Sequence, residues 1–222
     1  MDKEQKKEQK KMAAQWAKDK LPLRKIPEEL QTEDFFLEAV KKDGKALGKY
    51  GVPDDMKTEK VCLAAVQNNG RALEYVPDQL KTPEICLASV QNTGFTLEYV
   101  PDQVKTPELC LEAVKRDGWV LHHFVPESLE SDEMRLAAVQ QNGGVLQWMP
   151  SKLKTAEICL AAVKDYGLAL EFVPEDFKTA EICLAAVQKS GVALKFVPEH
   201  LKTPEICNAA AKHQEEVREF VQ

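Results

Sequence analysis

Residues 80–103 read LKTPEICLASVQNTGFTLEYVPDQ, and variants of this stretch recur eight times along the chain of 222 residues. A proline after the apolar LEYV block marks the spacing: Pro27, Pro53, Pro77, Pro101, Pro126, Pro150, Pro174 and Pro198. Most successive prolines are 24 residues apart, whereas the first step is 26 residues and the step that ends at Pro126 is 25. A fixed period of this length is typical of solenoids and other repeat architectures.

Each copy predicts one long helix with a defined beginning and end. The helix starts after a threonine or serine, whose hydroxyl can accept a hydrogen bond from a free N–H of the first turn. These caps are Thr32, Thr58, Thr82, Thr106, Ser131, Thr155, Thr179 and Thr203. A glycine stands twelve residues after each of the first seven caps, and we expect it to end the helix in the left-handed conformation. The glycines are Gly44, Gly70, Gly94, Gly118, Gly143, Gly167 and Gly191.

A second, shorter helix should follow each glycine, as in residues 94–101 (GFTLEYVP). The proline excludes the preceding valine from the α region, so this helix has room for only one or two turns. We expect the leucine of the next connector to fill the seam between copies, at Leu80, Leu129, Leu153 and Leu201. Such short amphipathic helices bury their apolar faces only by stacking on neighbouring copies. The sequence therefore predicts an all-α fold, an α-solenoid of about eight two-helix repeats, each with one long and one short helix.

Both ends of the array depart from this pattern. Phe35 and Phe36 stand where other copies have Ile and Cys, and in the last copy Asn208 and Glu215 replace the leucine and the glycine. Terminal repeats are expected to be atypical because one side faces water. We therefore expect capping ends on a complete array.

These departures divide the chain into two predicted segments. Residues 27–222 are predicted to form a single α-solenoid repeat domain, and residues 1–26 a charged N-terminal tail or helix with a half-repeat cap. Residues 1–20 are rich in lysine and glutamate, which suits either a solvated helix or a disordered tail. Trp16 is the exception, and we expect it to cover the core of the first copy rather than to bind a partner.

Charge and hydropathy exclude several classes of protein. The net charge is −6; residues 1–31 carry nine Lys/Arg and six Asp/Glu, so the remainder carries −9. An acidic array is poorly suited to phosphate backbones. No apolar run approaches the roughly 20 residues that span a bilayer, and no secretory signal follows Met1. We expect a soluble protein without membrane association, in the cytoplasm or delivered into a reducing host cytoplasm.

The six cysteines all occupy one repeat position: Cys62, Cys86, Cys110, Cys159, Cys183 and Cys207. Equivalent positions of stacked helices lie about 8–10 Å apart, beyond the roughly 7 Å limit for a disulfide. We expect reduced thiols that act as small buried hydrophobes, which favours a reducing compartment. No cofactor or metal site is expected.

The fourth copy is irregular, because residues 118–126 (GWVLHHFVP) hold one residue more than the corresponding segments. The following helix has Arg135 where cysteine is usual. The irregularity predicts either a local bend or a partner-binding patch made of Trp119, His122, His123 and Arg135, since exposed Trp and Arg dominate binding hot spots. A metal site is disfavoured because the two histidines lack a third ligand at suitable spacing.

The sequence also predicts the surroundings of two other recurring positions, an aromatic residue and a lysine. Trp148 shares the position of Tyr75, Tyr99, Phe124, Phe172 and Phe196, and we expect its ring in the core. A lysine precedes most caps: Lys57, Lys81, Lys105, Lys154, Lys178 and Lys202. The lysines form either a solvated edge with weak ion pairs or the wall of a groove for an extended peptide.

The unit KTPEICLAAVQxxGxALEYVP, as it stands at residues 57–77, 81–101 and 178–198, resembles the short helical repeat catalogued as domain of unknown function 4116. The resemblance extends from about Pro27 to the C-terminus. It implies an α-solenoid and no activity, cofactor or catalytic residue. The extra residue of the fourth copy and Arg135 depart from the family pattern.

A uniform framework with variable positions after each glycine favours a non-catalytic protein-interaction scaffold that presents a curved surface to a protein or an extended peptide. We expect a monomer. A structural or self-assembling module and nucleic-acid binding through the lysine-rich tail stay open as alternatives. The chain has no nucleophile, phosphate-binding or zinc motif that stands out from the repeat, so we do not expect an enzyme.

Overall fold

The computed structural model describes residues 3–19, 26–48 and 51–219, and all regular structure within them is helical. The predicted all-α repeat fold is therefore confirmed. The α-helices are α1 Lys3–Asp19, α2 Glu33–Lys42, α3 Glu59–Asn68, α4 Pro83–Asn92, α5 Pro107–Arg116, α6 Val120–Phe124, α7 Asp132–Gln141, α8 Ala156–Asp165, α9 Ala180–Lys189 and α10 Pro204–Glu219. Contacts divide the chain into two compact units, Met1–Arg116 and Asp117–Gln222. A single domain over residues 27–222 stays a prediction.

The predicted helix caps are confirmed in every copy. Each threonine or serine hydroxyl accepts a hydrogen bond from the backbone N–H three residues later, at 3.2 to 3.4 Å. Each of these bonds satisfies one donor that the first helical turn leaves without an intrahelical partner. The caps therefore place the start of every long helix at the same position of the repeat.

The predicted reason for the helix ends is wrong. Among the described glycines only Gly51 has a positive φ, of 83°. The helix ends two residues before the repeat glycine, and the residue between them is extended; α3 ends at Asn68, and Asn69 has φ −147° and ψ 105°. Gly70 is then the first residue of the second segment. The last copy lacks both the extended residue and the glycine, and α10 runs on to Glu219.

The repeat glycine is needed because neighbouring copies approach closely there. A Cβ added to Gly70 would lie 2.7 Å from the carbonyl oxygen of Ser89 in the next helix. The Gly70 N–H donates to Asn92 Oδ1 at 3.1 Å. Gly44 and Asn68 form the same bond at 2.7 Å. A side chain larger than hydrogen at this position would push two neighbouring copies apart.

The second segment is a 3-10 helix in most copies. It spans six residues in Gly70–Tyr75, Gly94–Tyr99, Gly143–Trp148, Gly167–Phe172 and Gly191–Phe196, and four in Gly44–Leu47. The connector after each proline forms a further one-turn 3-10 helix such as Asp78–Leu80. A regular copy thus consists of one α-helix and two short 3-10 segments.

The N-terminal helix α1 covers the first copy of the first unit. Gln9, Ala13 and Trp16 are buried and are spaced along one helical face. The Trp16 ring lies 5.8 Å from the ring of Phe35 and 5.9 Å from that of Phe36, between ring centroids. The predicted role of Trp16 is confirmed, and α1 is a packed helix rather than a solvated one. Most of the predicted half-repeat cap, residues 20–25, lies outside the described residues.

The core of the second unit repeats the same positions in copy after copy. Ile158, Cys159, Ala162 and Val163 of α8 pack with their counterparts in α9. Leu153 and Leu201 of the connectors lie against this core, as predicted. All six cysteines are free in the structure, and all but Cys207 are buried, where they pack as small hydrophobic residues. None of the described helices is both long and apolar enough to cross a membrane.

Candidate functional site

The extra residue of the fourth copy changes the winding of its second segment. Residues 120–124 form the α-helix α6, whereas the first three copies and the fifth to seventh copies have a 3-10 helix at this point. Six residues complete two turns of a 3-10 helix, and about seven complete two turns of an α-helix. The insertion is therefore absorbed by a change of helix type. Both His122 and His123 are exposed on α6.

These residues form a continuous aromatic patch, which we define as Trp119, His122, His123 and Trp148. The rings of His122 and Trp148 are stacked, with centroids 5.5 Å apart and planes at 22°. The Trp119 ring lies 6.3 Å from that of Trp148 at 60°, and 6.4 Å from that of His123. The structure thus brings together three of the four residues that the sequence singled out, and it adds Trp148.

The expectation that Trp148 belongs to the core is wrong, because 49% of the residue is exposed. Val145, Leu146 and Met149 are buried, whereas Gln147 and Trp148 at the end of the 3-10 helix are exposed. Tyr75 at the equivalent position of the first unit is 37% exposed. Hydrophobic character alone predicted the wrong side of the helix.

Arg135 lies beside the patch but is engaged within the protein. Its Nη1 is 3.2 Å from Glu130 Oε2 and its Nη2 is 2.8 Å from Asp132 Oδ1, and only 12% of its side chain is exposed. A crevice of about 30 Å³ is lined by Arg135, Glu130, His122 and Trp148 over an apolar floor. Such a volume accommodates one water or the tip of a side chain. Arg135 therefore shapes the edge of the patch rather than presenting a free guanidinium.

The Glu130–Arg135 pair replaces a lysine–cysteine pair that six other copies have. Glu130 stands at the position of Lys81, and Arg135 at that of Cys86. In the regular copies the lysine and the cysteine lie close enough for the ammonium to lower the pKa of the thiol, although burial raises it more. The two substitutions compensate each other, because the added cation comes with an added anion. The lysine-to-glutamate change was the signal in the sequence that could have revealed this pairing.

The repeated lysines are paired with carboxylates three residues earlier. Lys81 Nζ lies 2.9 Å from Asp78 Oδ1, and the side chain of the lysine is largely buried while that of the aspartate is exposed. The same pair recurs at Lys57, Lys105, Lys178 and Lys202. The lysines are therefore part of each connector's internal packing rather than a solvated row of cations.

Lys154 is the exception, because Ser151 replaces the carboxylate three residues before it. Its Nζ donates to the backbone oxygen of Phe172 at 2.7 Å. The side chain is buried, and this desolvation lowers the pKa of Lys154.

The buried thiols are poor nucleophiles. Burial raises the pKa of Cys62, Cys86 and Cys159 to about 11, and it raises those of Cys110 and Cys183. The thiolate, not the thiol, is the reactive form. In the part of the chain that the structure describes, no three His, Cys, Asp or Glu side chains come together in a way that could hold a metal ion.

Comparison with known proteins identifies one family. A family model with the description Domain of unknown function (DUF4116) matches residues 58–105, 106–154, 132–178 and 155–202. Together the four overlapping matches span residues 58–202, about two thirds of the chain. The first and last copies lie outside this span. No curated protein and no solved structure matches the chain.

Proposed function

Since this chain belongs to the family of repeats described as Domain of unknown function (DUF4116), we propose that it is a non-catalytic scaffold that binds another protein through the aromatic patch. The observation that carries this proposal is the exposure of Trp148 within a cluster of four aromatic rings. Tryptophan is enriched among the residues that dominate binding energy, and it supplies a large contact area at low entropic cost. An exposed cluster of this kind favours a binding role over a purely structural one.

The regularity of the rest of the chain supports the same proposal. Cap, glycine, cysteine and lysine positions recur because each has a structural role, either within one copy or between neighbouring copies. The patch arises where this regularity is broken, at the extra residue of α6 and at Trp148. Departures from a uniform framework are where repeat proteins carry individual specificity, since the framework only positions them.

The proposed location is a reducing compartment, the cytoplasm of its own cell or of a host. Six free cysteines, five of them buried, are compatible with this location. In an oxidising compartment, unfolded chains would expose the thiols and form mixed disulfides before folding. The proposed partner is a protein or an extended peptide, and the protein itself acts as a monomer.

Site-specific photo-cross-linking tests the proposal. A benzophenone amino acid replaces Gln147, which is exposed next to Trp148, so that the four rings of the patch stay intact. The matched control carries it at Gln188, an exposed residue of α9 in the same unit. We expect a discrete adduct with another protein from position 147 and none from position 188. Introducing Trp119→Ala and Trp148→Ala should abolish that adduct.

The same adducts from both positions, or an adduct that survives loss of both tryptophans, would contradict a binding role for the patch. An adduct between two copies of this chain would instead support the self-assembling alternative. Circular dichroism of each variant must match that of the unmodified chain, so that a lost adduct reports the surface and not the fold.

A further inference from the structure

We propose that the aromatic patch recognises a cationic segment of its partner, with an arginine side chain lying on the indole of Trp148. This inference rests on the proposed scaffold function and specifies the chemistry of the partner. Three observations carry it: the charge around the patch, a cation over an equivalent ring elsewhere in this chain, and the shape of the crevice beside Trp148.

The segment that builds the patch carries a net negative charge. Residues 117–154, which run to the end of the connector after Trp148, contain five Asp/Glu and three Lys/Arg, namely Arg135, Lys152 and Lys154. Lys154 is buried and donates to the backbone oxygen of Phe172. The acidic residues are Asp117, Glu127, Glu130, Asp132 and Glu133. Arg135 is already paired with two carboxylates, so these three side chains together keep a negative charge. The Asp132 side chain is 86% exposed, so its charge acts at the surface. Electrostatic complementarity therefore favours a positively charged ligand.

The chain itself places a cation over a ring at the corresponding position of another copy. Lys195 Nζ lies 4.5 Å from the ring centroid of Phe196, within the range of a cation–π contact. Phe196 and Trp148 are both the last residue of a six-residue 3-10 helix. The aromatic position of the repeat is thus open to an ammonium or guanidinium group from the solvent side.

Trp148 has the better ring for this contact and lacks the internal cation. Gln147 stands where Lys195 stands in the other copy. Among the described residues, the ring contacts of Trp148 are with Trp119 and His122, and about half of its surface stays exposed. Indole is the strongest of the aromatic side chains in attracting cations. The site is therefore available to a cation from another molecule.

The shape of the crevice favours arginine over lysine. Glu130 and Trp148 line the same crevice of about 30 Å³, which is too small to enclose a whole side chain. A planar guanidinium can stack on an indole while its N–H groups point sideways to a carboxylate, whereas a compact ammonium lacks this geometry. The guanidinium would lie at the mouth of the crevice, over Trp148 and next to Glu130. Nucleic acid is disfavoured because its phosphates would face the same carboxylates.

The test measures binding of a fluorescent, unstructured peptide in which arginines are separated by glycine and serine. The control peptide has glutamine at each arginine position, and a third peptide has lysine. By fluorescence anisotropy at low salt we expect binding of the arginine peptide, weaker binding of the lysine peptide and none of the glutamine peptide. Trp148→Ala should raise the Kd about threefold to tenfold, as expected from loss of one cation–π contact.

Two further variants separate the patch from general charge effects. Trp148→Phe keeps a ring and should retain most of the affinity. Tyr75→Ala removes the exposed ring at the equivalent position of the first unit and should leave the Kd unchanged. Added salt should weaken binding, because the carboxylates near the patch are screened. Thermal unfolding of the variants confirms that each is folded under the conditions of the titration.

Equal binding of the arginine and glutamine peptides, or an unchanged Kd in Trp148→Ala, would overturn this inference. A specific cross-linked partner at position 147 together with no binding of the arginine peptide would leave the scaffold proposal standing and reject the cationic partner. Absence of both the cross-link and the peptide complex would reject the two proposals together.

Discussion

Gly70 shows how a single hydrogen side chain sets the distance between neighbouring copies. The residue has no positive φ, so its conformational freedom is not the reason for glycine. The carbonyl oxygen of Ser89 and the side chain of Asn92 occupy the space that a methyl group would need. The same repeat position is glycine in seven copies, and in six of them, from Gly44 to Gly167, a backbone oxygen of the next long helix occupies the space that a Cβ would need.

Gly70→Ala should destabilise the protein, because the new methyl group would force α4 away from the second copy. We expect a loss of about 1–3 kcal/mol in the free energy of unfolding, as for overpacked cores. Urea unfolding followed by circular dichroism measures it. Gly144→Ala is the matched control, since other copies carry side chains such as Arg71 at that position. A Gly70→Ala protein as stable as the control would refute the close-packing argument.

The buried thiols predict slow chemical modification. Because burial raises the pKa of Cys62, Cys86 and Cys159 to about 11, almost no thiolate exists near neutral pH in the folded protein. We expect iodoacetamide to modify Cys207 first, since it is the one partly exposed cysteine. Mass spectrometry after labelling, with and without urea, measures the order. Rapid labelling of all six cysteines in the folded protein would contradict the structure.

The raised pKa of the buried thiols makes the free energy of unfolding depend on pH. The folded state binds the thiol proton more tightly than the unfolded state, whose thiols titrate near 9.0. The contribution of the protonated Cys62 thiol to stability is fully present below pH 9.0. It is lost as the pH rises to about 11.

At the scale of the element, α6 shows how an insertion can be absorbed without loss of the repeat. The wider α-helical turn takes up one more residue than the 3-10 turn in the same number of turns. Val120 and Leu121 remain buried, whereas His122 and His123 face solvent. The inserted residue thus adds surface rather than core. The local bend at the fourth copy stays a prediction.

In the fifth copy, we expect substitutions of Glu130 in the connector and Arg135 in α7 to be energetically coupled. Glu130→Lys alone should destabilise the protein by placing a second cation beside the largely buried Arg135. Glu130→Lys combined with Arg135→Cys rebuilds the lysine and cysteine of the other copies, with Glu127 three residues before the lysine. We expect the double variant to recover most of the lost stability, with a coupling energy of about 1–3 kcal/mol.

A double-mutant cycle by urea unfolding measures this coupling. The cycle compares the unmodified chain with Glu130→Lys, Arg135→Cys and the double variant under the same salt conditions. Additive effects of the two substitutions would show that the pair does not act as a unit.

At the scale of the molecule, each end of a repeat array needs a cover because its last copy lacks a neighbour. The helix α1 supplies this cover for the first copy by placing Trp16 over Phe35 and Phe36. A lysine-rich helix suits the role, since lysines such as Lys7 and Lys11 remain exposed while Gln9, Ala13 and Trp16 are buried.

Trp16→Ala should therefore destabilise the first copy by about 3–5 kcal/mol, the usual cost of removing a large buried aromatic side chain. Because repeats couple mainly to their nearest neighbours, hydrogen exchange should accelerate in α2 and leave α9 unchanged. Mass spectrometry of peptides from both helices measures the difference. Equal acceleration in α2 and α9 would show that the array unfolds as one cooperative body.

The repeat sequence by itself determined the α-helices, their caps and the buried faces, because these follow from local periodicity and from stacking of identical units. The sequence also located the irregular copy through the extra residue and Arg135. It misplaced Trp148, because the face of a six-residue 3-10 helix is set by the copies packed around it. It gave the wrong reason for the glycines, since a close approach between copies is a property of the packed array.

Tertiary structure alone decided which irregular residues share a surface. Trp119 and Trp148 are 29 positions apart in sequence, and the stacking of two copies brings their rings to 6.3 Å. Arg135 looked equally exposed from sequence, but the folded chain pairs it with Glu130 and Asp132. Local chemistry determined the framework of this protein, and contacts between copies determined its candidate binding surface.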